Sequence, residues 1–371
     1  PEEPFSWLWI RDGHRVSPGL VRLNDTGTAQ VRNGPGDFRT ADTNSNPLLT
    51  ERITNPAGQV YGWYVDQNHV PRIVRRFLDD KLEYVHRSRD SQDWKTLPLD
   101  PEHWDIQLFG VDENQLYIAG YNGEDTKGLY HYDIESGEVG DLIFRDDYYD
   151  FSDSVSYLYF RKQVVGFRYM RATPTFVWLH PELEGVQKMI DSVLKNRINV
   201  IYDSSVDFNR HLVYSYSDQS PPEYLVLDLK NKSLREITKT APWLEYEKLA
   251  KTEVFHFETS DGLRLEGYLT RPVGKKAPYP TVCLVHGGPW TRDGGGYDDE
   301  TQLLANQGFA VLRVNYRGST GYGKKISFDP EYDFRKMQDD ITEAVQMAVK
   351  HGIADPDRLA IMGASFGGYS A

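Results

Sequence analysis

The chain has 371 residues, a length that suggests two domains. Its 55 Asp and Glu against 42 Lys and Arg give a net charge of −13; with no long basic run, such a chain repels a phosphate backbone, which argues against a nucleic-acid partner. Cys283 is the only cysteine, so an intrachain disulfide and a cysteine-built metal site are excluded, and no apolar run approaches the roughly 18 residues of a membrane span.

Residues Pro1 to Arg15 show neither a basic n-region nor a sustained apolar stretch. From the start to about Lys239 the pattern is then strand, turn, strand. Val65–Phe77, Gln115–Ala119, Gly128–Asp133, Tyr157–Phe160, Val164–Tyr169, Val200–Tyr202, Leu212–Tyr216 and Tyr224–Leu229 are β-rich, and Asp, Asn, Gly and Ser cluster between them. The one helical candidate here is Glu184–Leu194. Four segments are alike: Leu82–Val85, Leu129–Tyr132, Phe176–Leu179 and Tyr224–Leu227. With Tyr84, Tyr130, Val177 and Leu225 as markers, the period is about 47 residues, which suits a four-stranded propeller blade. A β-sandwich with evenly spaced strands is the alternative, and it would pair the markers in one continuous sheet.

Near Pro242 the character changes. Pro242–Lys251 reads as a polar, helical connector, and the expected division is a β-propeller-like domain over 1–241 and a second domain over 242–371. Glu253–Glu258 and Arg264–Leu269 form a hairpin pattern around Ser260-Asp261-Gly262. Thr281–Val285 is a short apolar run of the kind found in buried parallel strands, Asp299–Asn306 reads as helix, and Phe309–Val314 as strand. Asp333–His351 is the clearest helix, with Met337, Ile341, Ala344, Val345 and Ala348 on one face and Gly352 at its stop. Leu359–Met362 is a further strand. Alternating β and α predicts a parallel sheet covered on both faces.

Gly363-Ala364-Ser365-Phe366-Gly367-Gly368 directly follows that last strand. A serine between glycines at this spacing is the pattern of a nucleophile elbow, in which a tight strand-to-helix turn lifts the hydroxyl to the end of the sheet. His286-Gly287-Gly288-Pro289-Trp290 follows strand Thr281–Val285 in the same way. Acyl transfer creates an oxyanion that needs backbone N–H donors in an open pocket, and Gly288 and Phe366 are the expected donors. His286 reads as a residue that shapes the turn, and not as the catalytic base.

The segments His286–Trp290, Asn315–Gly323 and Asp355–Tyr369 together resemble the prolyl oligopeptidase family of serine peptidases, with the acylaminoacyl-peptidase-like branch the nearest fit. The resemblance covers Glu253–Ala371. It implies a β-propeller followed by an α/β-hydrolase domain, a propeller that limits access to short peptides, Ser365 as nucleophile, Gly288 and Phe366 as oxyanion donors, and no cofactor. Two departures stand out. The hydrolase triad runs Ser, then Asp or Glu, then His, yet only six residues follow Ser365 and all ten histidines precede it. The β region also holds about five periods where the family has seven or eight. The expectation is therefore an internal fragment of a longer enzyme, with a hydrolase domain truncated after the elbow and inactive alone. Two other readings remain: a non-catalytic propeller-type binding module with a vestigial hydrolase part, and an esterase acting on small acyl groups.

Lesser candidates are read as structural. Arg313, Arg317, Lys324 and Lys325 are expected on a solvated or ion-paired surface. Asp339-Asp340 should lie on a solvated face or tie a helix to a loop, Glu2-Glu3 lacks the context of an amine-binding pair, and Asp293…Asp298-Asp299-Glu300 lacks Ca²⁺-loop spacing.

Overall fold

The computed structural model describes all residues except 1–4, 13–14, 23–28, 34–36, 43–45, 53–55, 67–69, 111–113, 152–155, 161–162, 206 and 328–332; within 5–52 and at 156–160 and 163 the description is of the backbone. Internal contacts group the chain into two compact units, residues 1–118 with 131–141, and residues 119–130 with 142–371.

The β-rich part is a series of small sheets whose strands follow chain order. The first two hold β1 (Phe5–Asp12) and β2 (Arg15–Arg22), then β3 (Ala29–Asn33), β4 (Asp37–Asp42) and β5 (Asn46–Arg52). The next two have four strands each: β6 (Gln59–Val65), β7 (Pro71–Leu78), β8 (Lys81–His86) and β9 (Lys95–Leu97), then β10 (Trp104–Phe109), β11 (Gln115–Gly120), β12 (Gly128–Asp133) and β13 (Val139–Phe144). A three-stranded sheet follows with β14 (Ser156–Phe160), β15 (Gln163–Met170) and β16 (Pro174–Trp178). Last comes a four-stranded one with β17 (Ile198–Ser204), β18 (Arg210–Ser217), β19 (Ser220–Asp228) and β20 (Ser233–Lys239). The markers Tyr84, Tyr130, Val177 and Leu225 fall on β8, β12, β16 and β19, the third strand of four separate sheets. The period thus follows a repeated meander, and the markers do not share one continuous sheet.

Helix α1 (Pro181–Val193) lies between β16 and β17 and begins on Pro181, whose fixed φ suits a first helical position. Its buried residues Leu183, Val186 and Ile190 recur at helical spacing and join Ile201, Val213, Leu225 and Leu227 in one core. The alternation along β19 brings Leu225 and Leu227 to that side. The connector is less helical than its polarity suggests: only Tyr246–Lys248 forms a 3₁₀ turn. Leu249 and Ala250 are buried, and the Gln302 side chain takes both backbone groups of Ala250, donating to its carbonyl at 2.7 Å and accepting from its N–H at 2.8 Å. Tertiary pairing there replaces helical hydrogen bonds.

The α/β part is built on β21 (Thr252–Glu258), β22 (Arg264–Thr270), β23 (Tyr279–Val285), β24 (Ala310–Asn315) and β25 (Ala354–Gly363), in sheet order β21-β22-β24-β23-β25. The β21–β22 hairpin is antiparallel, and β24, β23 and β25 run parallel. Helix α2 (Asp299–Asn306) is capped by Asp298, which accepts from Thr301 N at 2.7 Å, and α3 (Lys324–Ser327) is a single turn. Helix α4 (Phe334–Lys350) is capped by Asp333, and Gly352 follows its end at φ +68°. Met337, Ile341, Ala344 and Ala348 form its buried face against Cys283, Val285, Leu312 and Val314. Burial of Met337 and Ile341 contributes about 1.5–3 kcal/mol each. On β25, Leu359, Ile361 and Met362 are exposed. No helix among the described residues is long and apolar enough to cross a membrane.

Candidate active site

The parallel register between β23 and β25 determines what meets at their ends. Val285 is the partner of Gly363, so the segments 286–288 and 364–366 leave the sheet side by side. The contact is direct: a Cβ on Gly287 would lie 3.3 Å from Ala364 O and 3.5 Å from Ser365 Cβ.

Ser365 stands between β25 and the short helix α5 (Phe366–Ser370), with φ 56° and ψ −121°. A serine at positive φ costs on the order of 1–3 kcal/mol and persists only where its surroundings impose it. Two glycines make room for that turn. A Cβ at Gly363 would meet Val285 O at 2.6 Å and the Gly367 backbone at 2.6 Å, and one at Gly367 would meet Val285 O at 2.1 Å. The residue types of the elbow are thus set by backbone packed on backbone. Ser365 is exposed, and its hydroxyl has no hydrogen-bond partner among the described residues.

Gly288 adopts φ +114°, a conformation that favours glycine. Neither its N–H nor that of Phe366, the first residue of α5, has a protein acceptor among the described residues. The Phe366 ring packs in an aromatic cluster with Tyr316, Phe334 and Tyr369 at 5.6, 5.6 and 6.0 Å.

His286 is engaged by its own loop and the next one. Its ring stacks on Tyr316 with centroids 4.4 Å apart. Nδ1 lies 2.7 Å from Gly287 O, and Nε2 lies 3.0 Å from Ser319 Oγ. Burial pushes its pKa below the ordinary histidine value, which favours the neutral ring. With both nitrogens committed in this way, the imidazole supports the turn and is not a partner of Ser365.

The loop after β24 braces this region. Tyr316 OH donates to His286 O at 3.0 Å, and Thr320 N donates to Thr291 O at 3.0 Å. Arg317 is buried and held by two carboxylates. Its N and Nε donate to Asp340 Oδ2 at 2.9 Å each, and Nη1 donates to Asp261 Oδ2 at 2.8 Å. Those bonds raise the arginine pKa still further. Asp340 therefore ties α4 to this loop.

The surface expected for the basic run holds only at its end. Lys325 is exposed, 3.8 Å from Asp125, but Arg313 and Arg317 are buried. Arg313 sits among Gly294 O at 3.1 Å, Asp293 at 3.8 Å and Asp298 at 3.9 Å. Carboxylates from distant segments make that burial possible, and nothing in the local sequence announces them. Glu2 and Glu3 lie outside the described residues. Among the described residues no group of acidic, His or Cys side chains is disposed to hold a metal.

One cluster gave no sequence signal. Glu266 on β22 is completely buried and accepts from the hydroxyls of Tyr149, Tyr268 and Tyr322, with Arg292 alongside. A single glutamate in a short strand reads as an outward polar residue, and of its tyrosine partners only Tyr268 lies nearby in sequence.

A strand-to-helix serine turn beside a glycine loop, at the ends of neighbouring parallel strands, is the arrangement of an α/β-hydrolase type of site. Residues 296–371 match the model of the Prolyl oligopeptidase family. Dipeptidyl aminopeptidase BIII of Pseudoxanthomonas mexicana is 34% identical over 327 residues, which cover 84% of this chain and 47% of that protein. Dipeptidyl peptidase family member 6 of Caenorhabditis elegans is 31% identical over 210 residues, 50% of this chain and 28% of the relative. The chain spans about half the length of the first of these relatives and less of the second. Among solved structures, a puromycin hydrolase mutant complexed with PGG superposes with a TM-score of 0.64 at 17% identity, over 96% of this chain and 61% of that one, a likeness of fold. The structural neighbours of this kind combine a propeller with a hydrolase domain. Over residues 296–371 the chain is thus similar to the prolyl oligopeptidase family.

Proposed function

We propose that the chain supplies the nucleophile and the oxyanion site of a serine peptidase that hydrolyses short peptides. Ser365 Oγ attacks the scissile carbonyl, and the N–H groups of Gly288 and Phe366 take the oxygen as it becomes an oxyanion. The C–N bond then breaks to leave an acyl-Ser365 ester, which water hydrolyses. The observation that carries this reading is the Val285–Gly363 register, which sets the serine turn against the glycine loop. On the same reading the small β-sheets are blades of a propeller, and the hydrolase domain begins near residue 242.

The hydroxyl proton must go to a base within about 3 Å. No histidine among the described residues bonds Ser365, so the residues at hand do not provide one. The 371 residues expressed alone are therefore expected to be inactive as a peptidase. The test is to treat the natural protein, its Ser365→Ala variant and the 371-residue chain with a fluorophosphonate and to measure peptide hydrolysis. Labelling and turnover that vanish with Ser365→Ala support the assignment, and turnover that survives the substitution refutes it. Rapid stoichiometric labelling of the 371-residue chain would show that a residue within it serves as base.

A further inference from the structure

Glu266 is fully buried, and its carboxylate gathers the hydroxyls of Tyr149, Tyr268 (2.6 Å) and Tyr322 (2.6 Å), His256 Nε2 at 3.4 Å and Arg292 Nη2 at 3.5 Å. A buried carboxylate is tolerated only when it is paired and hydrogen-bonded, and this one is surrounded by donors. No step of the proposed reaction uses it. Its partners, however, lead to the site.

Arg292 lies four residues beyond Gly288 on the same loop. Its guanidinium is 4.0 Å from the centre of the Tyr322 ring, and Nη2 donates to Tyr322 OH at 2.6 Å and to Arg171 O at 2.8 Å. Tyr322 OH also accepts from Asn315 Nδ2 at 2.5 Å, and Asn315 Oδ1 accepts from Asp293 N at 2.7 Å. Segments 286–293 and 315–322 are thus bonded to one another at intervals: Tyr316 to His286, Thr320 to Thr291, and Asn315 to Asp293. The same two segments carry Gly288 and, through Arg292 and Tyr322, reach Glu266.

We propose that Glu266 is a positioning residue for the oxyanion loop, acting through Arg292 and Tyr322 to hold the Gly288 N–H where the oxyanion forms. The proposal rests on the serine-peptidase reading above. Deleting an oxyanion donor outright costs about 10²–10³ in kcat, so loosening the loop that carries one is expected to cost about tenfold or more. Such a loss should fall on kcat and leave KM within about twofold, because the substrate is bound elsewhere in its ground state.

The test compares Glu266→Gln and Tyr322→Phe with the natural protein, with Ser365→Ala in parallel. Readouts are kcat and KM on a short peptide, the affinity of a peptide aldehyde, which forms an oxyanion with the serine, and the affinity of the corresponding product peptide, which does not. The expected result is that kcat and aldehyde affinity fall together by about tenfold in Glu266→Gln and by less in Tyr322→Phe, with product binding unchanged. Unaltered kcat and aldehyde affinity, or equal loss of aldehyde and product binding, would overturn the proposal. If Glu266→Gln does not fold, Tyr322→Phe decides by the same readouts. Turnover that persists in Ser365→Ala would instead defeat the underlying peptidase reading, whatever Glu266 does.

Discussion

Replacing Gly367 by alanine is a sharp test of how the elbow is built. Alanine is the better helix former by about 1 kcal/mol in a helix interior, so propensity alone predicts a gain in α5. The structure predicts a loss. The added Cβ would stand 2.1 Å from Val285 O, 2.9 Å from Val285 C and 3.1 Å from His286 O, all of them main-chain atoms that cannot rotate away. Relief requires the elbow and the end of β23 to part by about 1 Å, at the roughly 1–3 kcal/mol typical of overpacking. A shift of that size between nucleophile and oxyanion donors costs about 10²-fold in rate. The assay is urea unfolding together with kcat/KM and the rate of fluorophosphonate labelling. Gly185→Ala is the control, since Gly185 is exposed on α1 with nothing within 4 Å of a new Cβ. It should stabilise by up to about 1 kcal/mol and leave the rate unchanged. A Gly367→Ala protein that unfolds and labels like the parent would show that the elbow is not seated against β23.

Two further perturbations address the brace behind the loops. Asp340→Ala leaves the buried Arg317 guanidinium with Asp261 as its remaining carboxylate, and should lower stability by about 3–5 kcal/mol in urea titration; a loss below about 1 kcal/mol would show that Asp261 alone suffices. Asp261 has its pKa depressed from 3.8 to about 2, chiefly by its hydrogen bonds from Arg317 and then from Thr259. A depressed carboxylate stabilises the fold above its unfolded value and loses that contribution as pH falls towards the folded one. The melting temperature of the parent should thus exceed that of Asp261→Asn at pH 7, with the difference shrinking between about pH 4 and pH 2; a difference constant with pH would exclude the carboxylate charge as its source.

What the sequence discloses is whatever repeats or lies close along the chain. The markers Tyr84, Tyr130, Val177 and Leu225 identify corresponding strands because each sheet is a local meander. The α4 face is readable from its 3.6-residue period, and the elbow because glycines flank a serine after a strand. What stays hidden depends on distant partners. Arg317 reads as a surface charge because Asp261 and Asp340 come from other elements. The 242–251 connector reads as helix because the Gln302 side chain that captures Ala250 lies some 50 residues on. Glu266 is the extreme case, since Tyr149, Tyr322 and Arg292 converge on it from three distant segments to join Tyr268 of its own strand.

The Val285–Gly363 register also bears on the order of folding. Each small meander pairs neighbours in sequence, so its hairpins close at little entropic cost. The β23–β25 ladder joins strands about 80 residues apart, with β24, α2 and α4 between them, and contacts of that range form slowly. A strained serine turn that depends on such a contact has no support until the long-range ladder has closed. The reactive geometry at Ser365 would then arise with the completed sheet, and a chain in which the β23–β25 ladder has not yet closed would carry only a relaxed, unreactive serine.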